Sequence, residues 1–239
     1  MTTTLRSVET DVLAALATVT DPELDEPVTE LGFVRSVVVD DVGVEVHLRL
    51  PTSFCAPNFA YLMVADAYDA LAEVPDAGRV RVLLDDHHDS EKINDGIASG
   101  LGYAGTFGSE AEESLDELRR TFQRKAHLAA VERCCRSVLG GGAWSLDELP
   151  LLELFDLPEG RLKAALVRRR EAIGLPGHAH ARVLVDHEGA PIPRTDTALW
   201  LRFAAATRVS IEGNVHFCRG LLATRYTESD PVITNVRTT

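Results

Sequence analysis

Cys55 stands at a place in the sequence where a thiol is chemically useful. It lies in residues 51–57, Pro-Thr-Ser-Phe-Cys-Ala-Pro, between a predicted strand and a predicted helix. Free N–H groups and the positive end of the helix dipole stabilise a thiolate there, and the thiolate is the form that binds metals. We interpret Cys55 as a candidate ligand, with a buried structural thiol as the alternative. Thr52 and Ser53 either donate hydrogen bonds to this thiolate or cap the helix.

A second set of possible ligands lies near the C-terminal end of the sequence. Glu212 and His216 are four residues apart and would share a helix face, with Cys218 close behind. A carboxylate and an imidazole at this spacing suit iron or zinc. Gly213 and Asn214 weaken the helix, and the alternative is that these are ordinary polar side chains.

The other cysteines and the absent motifs limit the chemistry. Cys134 and Cys135 are adjacent in a predicted helix and point about 100° apart, so at least one is expected in the core. The sequence has no CxxC, no GxxxxGK[ST], and no GxGxxG after a strand. These absences argue against ATP-driven assembly and against a four-thiolate cluster within one chain. A bound cluster would need ligands from more than one chain or from other groups, so we expect a homodimer.

The hydrophobic pattern predicts the elements that position Cys55. We predict a helix over 7–19, a hairpin of strands 33–39 and 44–50, a helix over 58–74 and a strand over 79–84. Together they give a two-layer α-β-β-α-β domain over residues 1–88. His87, His88 and Asp89 are interpreted as a solvated turn after the last strand, with loose metal binding as the alternative.

The rest of the chain is predicted to be mainly helical, which places the whole in the α+β class. Residues 89–109 are interpreted as a glycine-rich connector, and 110–239 as a mainly helical domain that binds a partner or client. Helices are predicted over 110–139 and 159–173, with one or two more within 196–225. A short strand pair is predicted near 182–186 and 191–193.

Composition and charge restrict the partners and the compartment. The net charge is −13, and residues 1–86 carry 16 acidic and five basic side chains, which argues against nucleic-acid binding there. The sequence shows no signal peptide and no apolar run near the ~20 residues of a membrane span. Four cysteines are too few for a disulfide scaffold. We therefore expect a cytoplasmic protein with reduced thiols and no membrane association.

Residues 7–86 resemble the domain of unknown function 59 family, the SufT- and PaaD-like iron–sulfur assembly domain. Three features carry the resemblance: the Asp-Pro-Glu-Leu signature at Asp21–Leu24 with its continuation at Val28–Val34, the hairpin, and the cysteine loop before a helix. Many members have Gly-Cys-Pro in this loop, whereas here Cys55 stands between Phe54 and Ala56. The resemblance covers roughly a third of the chain.

The resemblance implies a function and assigns residues to it. It implies an accessory protein, not an enzyme, that assists assembly or insertion of an iron or iron–sulfur centre in a client enzyme. The iron or cluster would be held transiently by Cys55, the position of the family's reactive cysteine. Asp21 and Glu23 are the family's acidic pair, which would orient the cysteine loop or bind a cation with Cys55; forming a turn is the alternative. Related two-part proteins suggest a multicomponent, di-iron monooxygenase as client.

Two other functions remain open from the sequence. One is a metal-free folding or interaction adaptor for an oxygenase subunit, in which the cysteine is incidental. The other is a cysteine-dependent enzyme with Cys55 as nucleophile and His47, on the outward face of the neighbouring strand, as base.

Overall fold

The computed structural model describes residues 8–111, 115–227 and 231–236. Its helices are α1 (Val8–Leu16), α2 (Pro57–Ala72), α3 (Ser90–Ala98), α4 (Gly102–Phe107), α5 (Leu115–Gly140), α6 (Arg161–Ala172) and α7 (Thr197–Arg225). Its strands are β1 (Thr20–Asp21), β2 (Glu26–Pro27), β3 (Val34–Val39), β4 (Gly43–Arg49), β5 (Arg79–Asp85) and β6 (Val232–Asn235). Short 3-10 helices lie at Gly108–Glu110, Leu149–Leu151 and Leu154–Asp156. The α+β class is confirmed.

The larger sheet has the order β5-β4-β3-β6 and places the cysteine loop at one end of a central strand. β3 and β4 form the predicted antiparallel hairpin, with Val37 opposite Val46. The Asp40 side chain closes its turn by accepting hydrogen bonds from the backbone N–H groups of Val42 and Gly43, both at 2.8 Å. β5 runs parallel to β4, and this arrangement requires the crossover that α2 supplies.

The predicted α-β-β-α-β order is confirmed, and β6 is an addition that the sequence pattern did not predict. β6 pairs in parallel with β3. Its side chains are mostly exposed and lack the alternation by which the other strands are recognised. A smaller sheet pairs β1 with β2, with Asp21 at the end of β1 opposite Glu26.

The core of this part forms where α2 covers the sheet. Ala60, Val64, Ala67 and Leu71 recur every three or four residues and are fully buried. Each large aliphatic side chain removed from water contributes about 1.5–3 kcal/mol to folding. The same cluster includes sheet residues and the inner face of α1: Val12, Leu16, Val37, Val46 and Leu48. α2 is therefore firmly fixed, and so is the loop that leads into it.

The chain divides into two compact units whose limits differ from the predicted boundaries at 88 and 110. The first unit extends to Leu115 and resumes at Asn214, and the second is Asp116–Gly213. Ile93 and Phe107, within the predicted connector, are buried in the core of the first unit. They belong to α3 and α4, two short helices of this glycine-rich segment.

The second unit has its own core, which includes both Cys134 and Cys135. The predicted helices at 159–173 and 196–225 are present as α6 and as the single helix α7. The predicted strand pair is reduced to an isolated bridge between Val185 and Pro191. No helix in the described ranges combines the length and the apolar character that crossing a membrane demands.

Candidate functional site

Cys55 lies in the loop that connects the end of β4 with the start of α2. It is a free thiol and partly exposed, with its remaining surface against the core of the first unit. The Thr52 hydroxyl lies 3.5 Å from its sulfur and also accepts a hydrogen bond from the Phe54 N–H at 3.2 Å. When Cys55 is a thiolate it can only accept, so the Thr52 hydroxyl is the donor of this contact. A partly exposed sulfur with a hydrogen-bond donor beside it is suited to binding a metal.

Helix α2 begins without a side-chain cap, so the capping role considered for Thr52 and Ser53 is wrong. Pro57 occupies the first turn, where its missing N–H costs nothing. Ala56 precedes it with φ −55° and ψ 127°, the extended conformation that a residue before proline prefers. This geometry directs the chain from β4 into α2 and leaves Cys55 just ahead of the first helical turn.

His87 holds the cysteine loop from the adjacent strand end. Its Nε2 donates a hydrogen bond to the Cys55 carbonyl oxygen at 2.8 Å, and its Nδ1 accepts one from the Asp89 N–H at 3.1 Å. The His88 N–H adds a bond to the Ser53 carbonyl oxygen at 2.9 Å. The interpretation of this segment as a solvated turn is wrong for His87, whose side chain is only 8% exposed. The Cys55 backbone is therefore fixed while its sulfur stays accessible.

Arg225, at the end of α7, is a further support of the loop that sequence reasoning missed. One guanidinium nitrogen donates to the Leu50 carbonyl oxygen at 3.1 Å, and another to Ser53 Oγ at 2.8 Å and to the Asp86 carbonyl. The Tyr226 hydroxyl donates to the Asp86 carboxylate at 3.2 Å. Ser53 thus supports the loop through Arg225, as an acceptor. A basic residue at a helix end was the available signal, but it gave no indication of its distant partners.

Asp21 forms a turn, which was the alternative interpretation to cation binding. Its Oδ1 accepts hydrogen bonds from the N–H groups of Glu23 and Leu24 at 2.9 and 2.8 Å. Burial raises the pKa of Asp21 to about 6, against the lowering effect of these two bonds. The Glu23 carboxylate accepts a hydrogen bond from the Asn214 side chain at 3.2 Å. A ligand role for Asp21 or Glu23 stays a prediction.

Cys218 lies at the Cys55 site rather than in a separate cluster. It is partly buried and packs against the same core as Cys55. Burial, followed by the charges of Asp21, Cys55 and Glu23, raises the pKa of Cys218 to about 11. The Cys218 thiol therefore interacts electrostatically with Cys55 and with two carboxylates, although these residues lie far from it in the sequence.

Glu212 and His216, the other members of the predicted second site, have different surroundings. Glu212 forms ion pairs with Arg133 at 3.3 Å and with Arg208 at 2.5 Å. His216 is exposed. Within the described part of the chain, no three His, Cys, Asp or Glu side chains form a group able to hold a metal ion.

His47, the candidate base of a thiol enzyme, is engaged by two carboxylates. Its Nδ1 lies 2.9 Å from Asp85 Oδ1, and its Nε2 lies 3.2 Å from Glu45 Oε1. Burial lowers its pKa, but the bonds to these carboxylates outweigh burial and raise it. With both ring nitrogens directed at carboxylates, His47 has no nitrogen left to accept the Cys55 proton. The geometry argues against this particular acid–base pair.

Comparison with known proteins concerns the part of the chain that contains this loop. Residues 9–84 match the family described as iron-sulfur cluster assembly protein. Over 82 residues the chain is 35% identical to an iron-sulfur cluster carrier protein of Mycobacterium leprae, which is 34% of this chain but only 21% of that protein. Over 86 residues it is 33% identical to an uncharacterized protein of Methanocaldococcus jannaschii, 36% of this chain and 88% of that one. No solved structure matches the chain significantly.

Proposed function

Because the chain belongs, through residues 9–84, to the family of iron-sulfur cluster assembly proteins, we propose that it assists assembly or insertion of an iron or iron–sulfur centre in a client enzyme. The observation that carries the proposal is the partly exposed Cys55 sulfur, in a loop whose backbone is fixed by His87 and Arg225. The iron or cluster is cargo, and the chain itself is not an enzyme.

The residues of the loop divide the work between holding the cargo and keeping the thiol in place. The Cys55 thiol gives up its proton as its sulfur binds iron, since a thiolate is the ligand. The Thr52 hydroxyl, 3.5 Å away, donates a hydrogen bond that stabilises the thiolate. A carrier must also release what it binds, and a site with few protein ligands leaves coordination positions open for the recipient protein. Because one copy of the loop supplies few ligands, we propose a homodimer that shares the cargo between two copies.

The second unit is proposed to bind the client. Leu199 and Phe203 lie four residues apart on α7 and are 66% and 67% exposed. Adjacent large apolar side chains on one helix face are typical of a protein-binding surface. We propose an iron enzyme as client, with a subunit of a multicomponent di-iron monooxygenase as the first to test. The same surface also supports the second candidate function, a metal-free adaptor for an oxygenase subunit.

Co-expression with a candidate client tests the function. Cys55→Ala is expected to fold and to bind the client, while the iron content and the activity of the client fall several-fold. Cys134→Ala, which removes a thiol from the core of the second unit, is the matched control and should leave both at the wild-type level. Full client activity with Cys55→Ala would contradict the thiol role, and if client binding also persists, the adaptor function is favoured.

A further inference from the structure

The C-terminal part of α7 contacts both the turn that contains Glu23 and the cysteine loop. At one point the Asn214 side chain donates to Glu23 at 3.2 Å. Eleven residues further on, Arg225 donates to the Leu50 carbonyl oxygen and to Ser53 Oγ. Eleven residues of helix are about 16 Å long. This segment of α7 therefore extends from the acidic turn to the cysteine loop.

Cys218 lies on the face of α7 that carries both of these contacts. It follows Asn214 by four residues and precedes Arg225 by seven, and both spacings are close to whole numbers of helical turns. Val215 and Leu222, on either side of it along this face, are buried in the core of the first unit. Its side chain is therefore directed into the space between Glu23 and Ser53, where the Cys55 loop lies.

The surroundings of this pair of thiols are acidic. Asp21, Cys55 and Glu23 each interact electrostatically with the Cys218 thiol. A bound cation is favoured here, because it attracts both thiolates and the neighbouring carboxylates neutralise its charge.

We propose that Cys55 and Cys218 form a two-thiol site that binds the iron of the cargo through two thiolates. This inference rests on the proposed function and adds a ligand from outside the matched family region, residues 9–84. Each thiol releases its proton to solvent as its sulfur bonds the metal, and no electron is transferred. Iron in a [2Fe–2S] cluster is held by four protein thiolates, so two thiols from each of two chains complete the set.

Anaerobic titration with Co²⁺ alone tests the site, because the intensity of thiolate-to-cobalt charge-transfer absorption reports how many thiolates bind. The wild-type chain is expected to bind Co²⁺ with this absorption. Cys218→Ser and Cys55→Ser should each lose about half of the band and weaken binding at least about tenfold, since even the loss of a partner outside the ligand shell has that effect. Cys134→Ala should match the wild type, and circular dichroism should show that all variants are folded.

The outcomes separate this site from the function on which it rests. If Cys218→Ser and Cys218→Ala both bind Co²⁺ as the wild type does while Cys55→Ser does not, the two-thiol site is overturned and the Cys55 function stands. Absence of the band in the wild type likewise overturns the site. If Cys55→Ser binds as the wild type does, the thiol role in the proposed function also fails.

Discussion

The His87 imidazole donates a hydrogen bond from Nε2 to the carbonyl oxygen of Cys55 at 2.8 Å, across 32 residues of sequence. This bond connects the end of β5 with the loop that follows β4. Its other nitrogen accepts the Asp89 N–H, so Nε2 is the ring nitrogen that donates. The position of the reactive thiol therefore depends on a histidine that need not touch the sulfur.

Replacing His87 should loosen the cysteine loop. His87→Ala leaves the Cys55 carbonyl oxygen without its donor and removes a buried side chain. We expect the free energy of unfolding to fall by about 1–3 kcal/mol. Amide hydrogen exchange in residues 51–57 should become faster. His216→Ala, at an exposed position of α7, is the control. Equal exchange in the two variants would show that the His87 bond does not fix the loop.

The planar guanidinium of Arg225 should not be replaceable by an amine. Arg225→Lys keeps the charge but loses the fork that reaches Leu50 and Ser53 together. Faster hydrogen exchange at residues 50–55 is expected, with a stability loss of about 1–3 kcal/mol. Arg202→Lys, at an exposed position of α7, should change neither quantity. Wild-type exchange in Arg225→Lys would mean that charge alone is enough.

The buried carboxyl of Asp21 should make stability depend on pH. Its pKa is about 6 in the folded chain against 3.8 for the ordinary group, so between these values the folded state binds more protons. Stability is therefore fully present below pH 3.8 and decreases as the pH rises through 6, by at most about 3 kcal/mol. Asp21→Asn keeps an oxygen acceptor for the turn and removes this dependence.

Chemical denaturation at pH 4 and pH 7 measures the effect of Asp21. The stability of Asp21→Asn relative to the wild type should increase between the two pH values. Glu30→Gln, at an exposed position, should show no such increase. A difference between Asp21→Asn and wild type that is independent of pH would mean that Asp21 titrates normally.

His127 should produce the opposite pH dependence in the second unit. Its side chain is 1% exposed, and Nε2 has no hydrogen-bond partner among the described residues. Burial, with the nearby Arg170 charge next, lowers its pKa from 6.5 to about 4. The unfolded chain binds the proton more readily in this window, so the stabilising effect is present above pH 6.5 and is lost as the pH falls through 4. The loss amounts to about 3 kcal/mol.

The His127→Leu variant removes both the titration and the buried unpaired nitrogen. We expect unfolding of the second unit to lose most of its pH dependence between 4 and 6.5. At pH 7 the variant should be as stable as the wild type or more stable, since an unsatisfied buried polar atom costs about 1–3 kcal/mol. His178→Leu, at an exposed position, is the matched control. A pH dependence unchanged in His127→Leu would assign it to other groups.

The local pattern of the sequence was enough to predict the elements around Cys55. Strict alternation in β4 and helical spacing in α2 each depend on neighbouring residues, and both elements are present where they were expected. The position of Cys55 between them follows directly. Pro57 also indicated the start of α2, because proline is favoured in the first turn.

The contacts that complete the site depend on residues distant in sequence. Arg225 reaches Ser53 across 172 residues, and Asn214 reaches Glu23 across 191. No periodicity in either segment encodes such a pairing, because it results from the return of α7 to the first core. For the same reason, Cys218 was grouped with its neighbours Glu212 and His216 and not with Cys55.

Anaerobic reconstitution with ferrous iron and sulfide is the most direct test of the central claim, that this chain holds iron cargo through Cys55. The measurement is the visible absorbance of the isolated protein, with iron and sulfide determined per chain. The wild type should acquire the absorbance of an iron–sulfur cluster, and Cys55→Ser should lose most of the absorbance and of the bound iron. Equal iron, sulfide and absorbance in the Cys55→Ser protein would contradict the account.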